Sequence, residues 1–123
     1  MLTVRPATIA DIRSFYPEWT ASFRAWVAEL DGEVQGIIGL CLLRPVAFAF
    51  SQFREPLRPY LKHPAILRLI KRAQAAYAAS IVPVTAVPDP NEDAAPRTLT
   101  RLGFRYIGKI DGEKVYQFYG GPY

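Results

Sequence analysis

The chain is poor in the residues on which most covalent and metal chemistry depends. It contains one cysteine, Cys41, and one histidine, His63, among 123 residues. A disulfide framework is therefore excluded, and a metal site has too few thiolate and imidazole ligands, so we expect no metal. A Cys-His or Ser-His-Asp arrangement would have to be built around the one imidazole. We expect Cys41, which lies in the apolar run GIIGLCLL, to pack as a buried small hydrophobic residue.

Long apolar runs are also missing. No stretch is long enough to span a bilayer, and no basic N-terminal segment leads into an apolar one. We therefore expect a cytoplasmic protein with no membrane contact. Half of the residues are hydrophobic and 13% are aromatic, which is enough apolar surface for a folded core. The length predicts a single domain over residues 1–123.

The net charge is modestly positive. It is +4 at pH 7, with a pI of about 9.4. A basic balance suits an anionic cofactor or a nucleic acid, but solvated lysine and arginine side chains account for it equally well. The charge alone does not choose between these alternatives.

The centre of the chain predicts a strand, a turn and a long helix. PVAFAFSQF is typical of a buried strand, and REPLRPYLK connects it to the helical segment HPAILRLIKRAQAAYA. The apolar residues recur at the spacing of one helix face: Ile66, Leu69, Ile70, Ala73 and Tyr77. Because the first amides of a helix lack internal partners, such a turn favours anions, and Arg54, Arg58 and Lys62 lie close to it in sequence.

The flanking segments complete an ordered series. Thr8 is a predicted N-cap, and Asp31-Gly32 and Asp111-Gly112 predict the turns of two hairpins. Asp93 is a predicted N-cap for the last helix, which Gly103 closes. The predicted order is strand, helix, hairpin, strand, long helix, strand, helix, hairpin. A strand-helix-strand unit between hairpins indicates a mixed sheet.

This order resembles that of the GNAT (Gcn5-related) N-acetyltransferases, which transfer acetyl from acetyl-CoA to an amine. LTVRPAT-IADI is similar to the family's opening strand and helix, and NEDAAPRTLTRLGFRYIG to its closing helix and strand. The resemblance covers nearly the whole chain, and compact members from phage and prophage genomes are similar. It implies an α/β (α+β) fold: a mixed, mostly antiparallel sheet of about seven strands with a central parallel pair, flanked by three helices.

The resemblance also implies where the cofactor binds. The family's pyrophosphate loop has Gln or Arg, two free positions, Gly, one free position, and Gly or Ala. Arg58 falls on the first position, Leu61 on the first glycine and His63 on the second small residue. Since both glycines are missing and Pro59 and Pro64 lack amide donors, bound CoA would depend more on side-chain charge. The implied cofactor contacts are Phe53, Arg54, Arg58, Leu61, Lys62, His63 and Asn91.

The catalytic residues are less well marked. Leu99 stands where many family members carry the tyrosine that protonates the departing thiolate. Glu29 and Glu55 are the candidates for the general base, and the alternative for each is a solvated surface carboxylate. His63 either contacts phosphate or fills an extended position before Pro64. The aromatic segment FYPEWT is short, so either the acceptor cleft is open, a partner subunit completes it, or its rings pack in the core.

We therefore predict an acetyl-CoA-dependent N-acetyltransferase acting on an amine of a small molecule or protein. A homodimer is compatible with this function. The alternatives are a catalytically inactive GNAT-like binding or assembly module and, less favoured, a nucleic-acid-binding domain. That last function would use Arg54, Arg58, Lys62, Arg68, Lys71 and Arg72.

Overall fold

The computed structural model describes residues 1–43, 45–89 and 95–120. The strands are β1 (Leu2–Pro6), β2 (Ser22–Leu30), β3 (Glu33–Leu42), β4 (Ala47–Phe53), β5 (Val84–Ala86), β6 (Phe104–Ile110) and β7 (Glu113–Phe118). The α-helices are α1 (Ile9–Phe15), α2 (Pro64–Ala79) and α3 (Ala95–Leu102), and a 3-10 helix spans Glu55–Tyr60.

All seven strands form one sheet in the order β1-β2-β3-β4-β5-β7-β6. Only β4 and β5 are parallel, and every other neighbouring pair is antiparallel. The predicted mixed sheet of seven strands with a central parallel pair, flanked by α-helices, is confirmed.

The 3-10 helix was not predicted from the sequence, where its residues were assigned to a connector. Pro56 lies in the first turn, where its missing amide hydrogen costs little, but Pro59 lacks the hydrogen that would donate to the Glu55 carbonyl in an α-helix. A tighter, short helix forms instead. Leu57 is fully buried and anchors this helix to the main body of the protein.

The predicted caps and turns are confirmed wherever the structure describes them. Thr8 and Asp11 form a reciprocal capping box at the start of α1. Asp31 and Asp111 have φ of 53° and 52°, which fits the tight hairpin turns predicted for Asp-Gly. Gly103 has φ of 103° and ends α3 in the left-handed region. Asp93, the predicted N-cap of α3, lies outside the described residues.

The sheet carries one hydrophobic core on each face. The main core lies under α2, whose Ile66, Leu69 and Ala73 are fully buried against Ile38 of β3. The second core lies under α1, where Ile12 and Phe15 pack on residues of β2 and β3. Because α1 has only seven residues, it covers much less of its face than the 16-residue α2 covers on the other side.

The surroundings of Cys41 and the length of the helices can be compared with what the sequence predicted. Cys41 is half-buried rather than buried, since it lies near the end of β3 beyond the area that α1 covers, and partial burial raises the pKa of its thiol. Among residues 1–43, 45–89 and 95–120, no helix has both the length and the apolar character needed to cross a membrane.

Candidate active site at the β4–β5 opening

The sheet opens between its two parallel strands. The register of β4 with β5 consists of two pairs, Ala47 with Val84 and Phe48 with Thr85. β4 continues to Phe53, and along that length it pairs with β3 alone. The two strands therefore diverge beyond Phe48, and a gap forms in the middle of the sheet.

Backbone amides of β4 face this gap. The Ala47 amide donates to the Pro83 carbonyl on the β5 side (2.8 Å), whereas the Arg54 amide donates to the Gln35 carbonyl on the opposite side (2.8 Å). Because successive amides of a strand point to opposite neighbours, the odd-numbered residues of β4 direct theirs toward β5. The amides of Ser51 and Phe53 thus point into the opening.

The start of α2 retains few free amide donors. His63 is the N-cap, and its Nδ1 accepts a hydrogen bond from the Ala65 amide (3.1 Å). Pro64 has no amide hydrogen, and the Leu67 amide donates to the His63 carbonyl (3.0 Å). Upstream, the Leu61 amide donates to the Arg58 carbonyl (3.4 Å). An anion at this helix start would therefore be held mainly by side chains.

Two of the three predicted cations belong to this helix start. Arg58 and Lys62 are exposed there, and the Arg58 Nε lies 3.6 Å from a Glu55 carboxylate oxygen. His63 is exposed, and because Nδ1 accepts the capping bond, Nε2–H is left as a donor. The side chains at this helix start therefore offer two positive charges and an imidazole to an anion, and phosphate binding by them stays a prediction.

The Arg54 side chain does not lie at the start of α2. Its guanidinium lies 4.1 Å from the centre of the Phe15 ring and donates to the carbonyls of Val34 and Ser14, at 3.1 Å each. These contacts tie the end of β4 to α1, on the face opposite α2. Arg54 therefore joins the sheet to α1, and the structure does not bring it together with Arg58 and Lys62.

The comparisons with known proteins identify the fold. No protein-family model matches the sequence, and no curated protein matches it. Solved structures do match. The ribosomal-protein-S18-alanine N-acetyltransferase from Escherichia coli has a TM-score of 0.63 at 13% identity, over 96% of this chain and 93% of that one. A GNAT family acetyltransferase from Elizabethkingia anophelis with acetyl-CoA bound has a TM-score of 0.64 at 10% identity, over 95% and 97%. The PaiA N-acetyltransferase from Thermoplasma acidophilum in complex with coenzyme A gives 0.60 at 13% identity, over 87% and 65%.

This chain has the GNAT fold. The remaining predicted residues can be placed on this frame.

The other predicted cofactor contacts occupy different environments. Phe53 is half-buried and packs against the main core, while the Leu61 side chain is 38% exposed beside the start of α2. Asn91 lies outside the described residues, so its role stays a prediction. Leu99 is partly buried against the main core, so the position predicted for an acid is used for packing.

The candidate base Glu29 belongs to an ionic network at the β1 edge of the sheet. The Arg5 guanidinium pairs with Glu29 through Nε and holds both Asp11 oxygens, at 2.6 and 3.1 Å. Together with the Thr8 amide, Arg5 lowers the pKa of Asp11 to about 2. This network joins β1, α1 and β2, and β3 separates β2 from β4. The structure therefore does not bring Glu29 to the opening.

The aromatic residues of the short connection pack together. Tyr16 and Trp19 lie 5.6 Å apart between ring centres, and Phe50 of β4 lies 4.9 Å from Trp19. Burial raises the pKa of Tyr16. Packing of these rings against the second core is confirmed, and no second helix forms between α1 and β2.

Two surface clefts lie away from the start of α2. The larger, of about 440 Å³, is lined by Tyr77, Pro83 and Phe118, and the other, of about 340 Å³, by Arg24 and Leu43, with Ile81 between them. Both are at the C-terminal end of α2, roughly 24 Å from its start at 1.5 Å per residue. Arg58 and Lys62 lie at the other end of α2.

Sequence reasoning missed one group of residues beside the opening, the exposed side chains around Phe48 on the α1 face of the sheet. The shortness of the segment between α1 and β2, noted in the sequence, leaves part of that face without a covering helix, but it did not show which strand residues would be exposed there.

Proposed function

We propose that residues 1–123 act as one domain that transfers acetyl from acetyl-CoA to a primary amine of a small molecule or protein. The observation that carries this proposal is the divergence of β4 from β5 next to the basic start of α2. The acetyl-CoA bound to a structural neighbour of the same fold supports it. A cytoplasmic location and a homodimer remain predictions.

Three side chains are proposed to hold the phosphates of the cofactor. Arg58 and Lys62 supply charge, and His63 supplies Nε2 while Nδ1 caps α2. Because Pro64 and the His63 cap remove amide donors, charge-assisted side-chain bonds carry most of the binding. Asn91 is proposed to meet the pantetheine arm, as the resemblance implies.

The Ser51 amide is proposed to polarise the thioester carbonyl. It points into the opening from β4, where a fixed backbone donor stabilises negative charge that develops on an oxygen. The ammonium first gives one proton to water. The amine nitrogen then forms a bond to the carbonyl carbon, the carbon–sulfur bond breaks, and the second proton passes from the nitrogen to the sulfur, so that CoA leaves as the thiol. Glu29 and Glu55 have no part in this proposal, since each already pairs with an arginine.

Calorimetric titration with acetyl-CoA and with CoA, at low and high salt, tests the proposal. We expect micromolar binding that weakens mildly with salt, together with amine-dependent release of free thiol. Absence of binding to either compound would overturn the proposal and favour the catalytically inactive module. Binding without thiol release, over a broad panel of amines, would show that the cofactor site persists without catalysis.

One observation favours nucleic-acid binding as a second candidate function. The exposed side of α2 carries Arg68, Lys71 and Arg72, and that of α3 carries Arg97 and Arg101. Neither described helix contains an acidic residue, and none of the five forms an ion pair within the described ranges. If they bind a single strand, the logarithm of the binding constant should fall with the logarithm of salt at a slope of about −3.5. Full competition by acetyl-CoA would instead assign these cations to the cofactor.

A further inference from the structure

A row of side chains crosses six strands on the α1 face of the sheet. The register pairs Phe23 with Cys41, Cys41 with Phe48, Phe48 with Thr85, Thr85 with Gln117, and Gln117 with Arg105. Directly paired residues of neighbouring strands point to the same face. We call these six residues the transverse row.

The transverse row is open to solvent at Phe48, whereas the neighbouring Thr85 is buried. β4 is the fourth of seven strands, yet the Phe48 side chain is 38% exposed, and its neighbours Phe23 and Cys41 are only half-buried. An aromatic residue in the middle of a sheet is ordinarily covered, since burial of a ring is favourable. Here α1 is too short to reach it, and the connection from Tyr16 to Ala21 contains no second helix.

The transverse row also lies at the edge of the opening. Phe48 and Thr85 form the last pair of the β4–β5 ladder, so the gap begins beside them. The start of α2, where the phosphates are proposed to bind, packs on the opposite face. A reactive group that reaches into the gap from the α2 side would therefore meet a molecule that rests on the row from the α1 side.

The chemistry of the row restricts what can rest on it. One end is apolar, with Phe23, Cys41 and Phe48. The Thr85 hydroxyl in the middle donates to the Ala47 carbonyl at 3.4 Å. At the other end, the Arg105 guanidinium lies 5.2 Å from the centre of the Tyr119 ring. The row contains a cation and no carboxylate, so it offers no partner for the second charge of a polyamine.

We propose that the transverse row is the acceptor site and that it selects a primary amine carried on an aromatic body. This inference rests on the proposed acetyl transfer. The ring stacks on Phe48 with its edge toward Phe23 and Cys41, and the amine extends toward the gap between β4 and β5. Phe48 sets the specificity by contact with the ring and takes no part in the chemistry.

Two amines of the same class test this specificity. 2-Phenylethylamine and putrescine are both primary alkylamines, and only the first carries a ring. We expect the wild-type protein to use 2-phenylethylamine with a kcat/KM roughly tenfold or more above that for putrescine, the factor that one aromatic contact supplies. Equal or greater use of putrescine would overturn the proposal.

The Phe48→Ala variant tests whether the transverse row causes the preference for 2-phenylethylamine. We expect a roughly tenfold rise in KM for 2-phenylethylamine, with little change in kcat, in putrescine kinetics or in the Kd of acetyl-CoA. Tyr106→Ala is the matched control, since Tyr106 is also an exposed aromatic residue but its register partner Tyr116 lies in the core on the α2 face. Phe48→Leu, which keeps apolar bulk, should give an intermediate KM and serves if Phe48→Ala fails to fold.

A binding measurement separates failure of this inference from failure of the proposed function. Saturation-transfer NMR with 2-phenylethylamine alone requires neither cofactor nor turnover. A signal that Phe48→Ala abolishes and Tyr106→Ala keeps supports the row even if acetyl-CoA does not bind, in which case the transferase function alone falls. Acetyl-CoA binding without a Phe48-dependent signal or preference overturns the row and leaves the transferase intact.

Discussion

The Arg58 guanidinium lies 3.6 Å from the Glu55 carboxylate, one helical turn earlier. The pair joins the arginine proposed to hold a phosphate to a residue that the sequence offered as a base. Their side chains are 48% and 87% exposed, so the ion pair contributes little to stability. For the proposed function, the ion pair matters because Glu55 would compete with a cofactor phosphate for Arg58.

Opposite effects are expected from the two partners. Arg58→Ala should weaken acetyl-CoA binding by about 1 to 3 kcal/mol, the range for a charge-assisted contact, without changing the fold. Glu55→Gln should tighten binding by up to about 1 kcal/mol, because a competing charge is removed. Calorimetry measures both, with Lys109→Ala on the β6–β7 hairpin as the control. Unchanged affinity in Arg58→Ala would remove the loop alignment, and a loss of turnover in Glu55→Gln would restore Glu55 as the base.

His63 is expected to have two separable roles. His63→Ala should lower the free energy of unfolding by about 0.5 to 2 kcal/mol, since the cap on the Ala65 amide is lost, and should also weaken acetyl-CoA binding. His63→Ser should restore the cap but not the cofactor contact. Chemical denaturation of the two variants measures the effect on the helix cap, and calorimetry measures the effect on acetyl-CoA binding. If His63→Ser binds acetyl-CoA like wild type, the imidazole is a cap and nothing more.

The proposed role of the Ser51 amide can be tested because this amide faces the opening, whereas the amide of the next residue, Gln52, faces β3. Ser51→Pro removes an amide that faces the opening, so turnover should fall roughly 100-fold or more while the pairing with β3 persists. Gln52→Pro removes an amide that faces β3 and should destabilise the protein instead. Ser51→Ala controls for the hydroxyl and should leave turnover near wild type. Equal turnover in Ser51→Pro and Ser51→Ala would show that this amide does not act on the carbonyl.

Acid stability should depend on Asp11. The pKa of Asp11 is lowered to about 2 in the folded protein, mainly by Arg5, from an ordinary value of 3.8. A lowered folded pKa means that the stabilisation is present above pH 4 and is lost as the pH falls toward 2. Because Arg5 is 39% exposed, solvent screening reduces the contribution, and we expect Asp11→Asn to cost about 1 kcal/mol at pH 7.

Denaturation curves between pH 2 and pH 7 measure this effect. Wild type should lose its advantage over Asp11→Asn across the acid range, and the two should converge near pH 2. A constant difference at every pH would mean that Asp11 acts through the Thr8 capping box rather than through its charge.

Local signals account for most of the architecture. The Asp31-Gly32 and Asp111-Gly112 turns need positive φ within two residues, and the Thr8 cap is complete within one helical turn, so each is determined by neighbours in the sequence. The 3-10 helix was missed because its stability comes from Leu57, whose burial against distant residues no local pattern reveals.

The sequence likewise predicted some features of the candidate site and missed others. The missing glycines and the prolines around Arg58 predicted a helix start with few amide donors, because an absent side chain or amide hydrogen is a property of the residue itself. Arg54 shows the limit of that reasoning. It lies in the same connector, yet its guanidinium reaches Phe15, Val34 and Ser14 on the other face.

The sequence by itself determined the order of the elements, their caps and turns, and the GNAT resemblance, since these depend on residues close together in the chain. The tertiary structure decided which cations share a surface, that Glu29 is held by Arg5, and that Phe48 lies exposed beside the β4–β5 gap. Those relationships join residues from separate strands, and only the pairing of the strands, driven by burial of the two cores, brings them together.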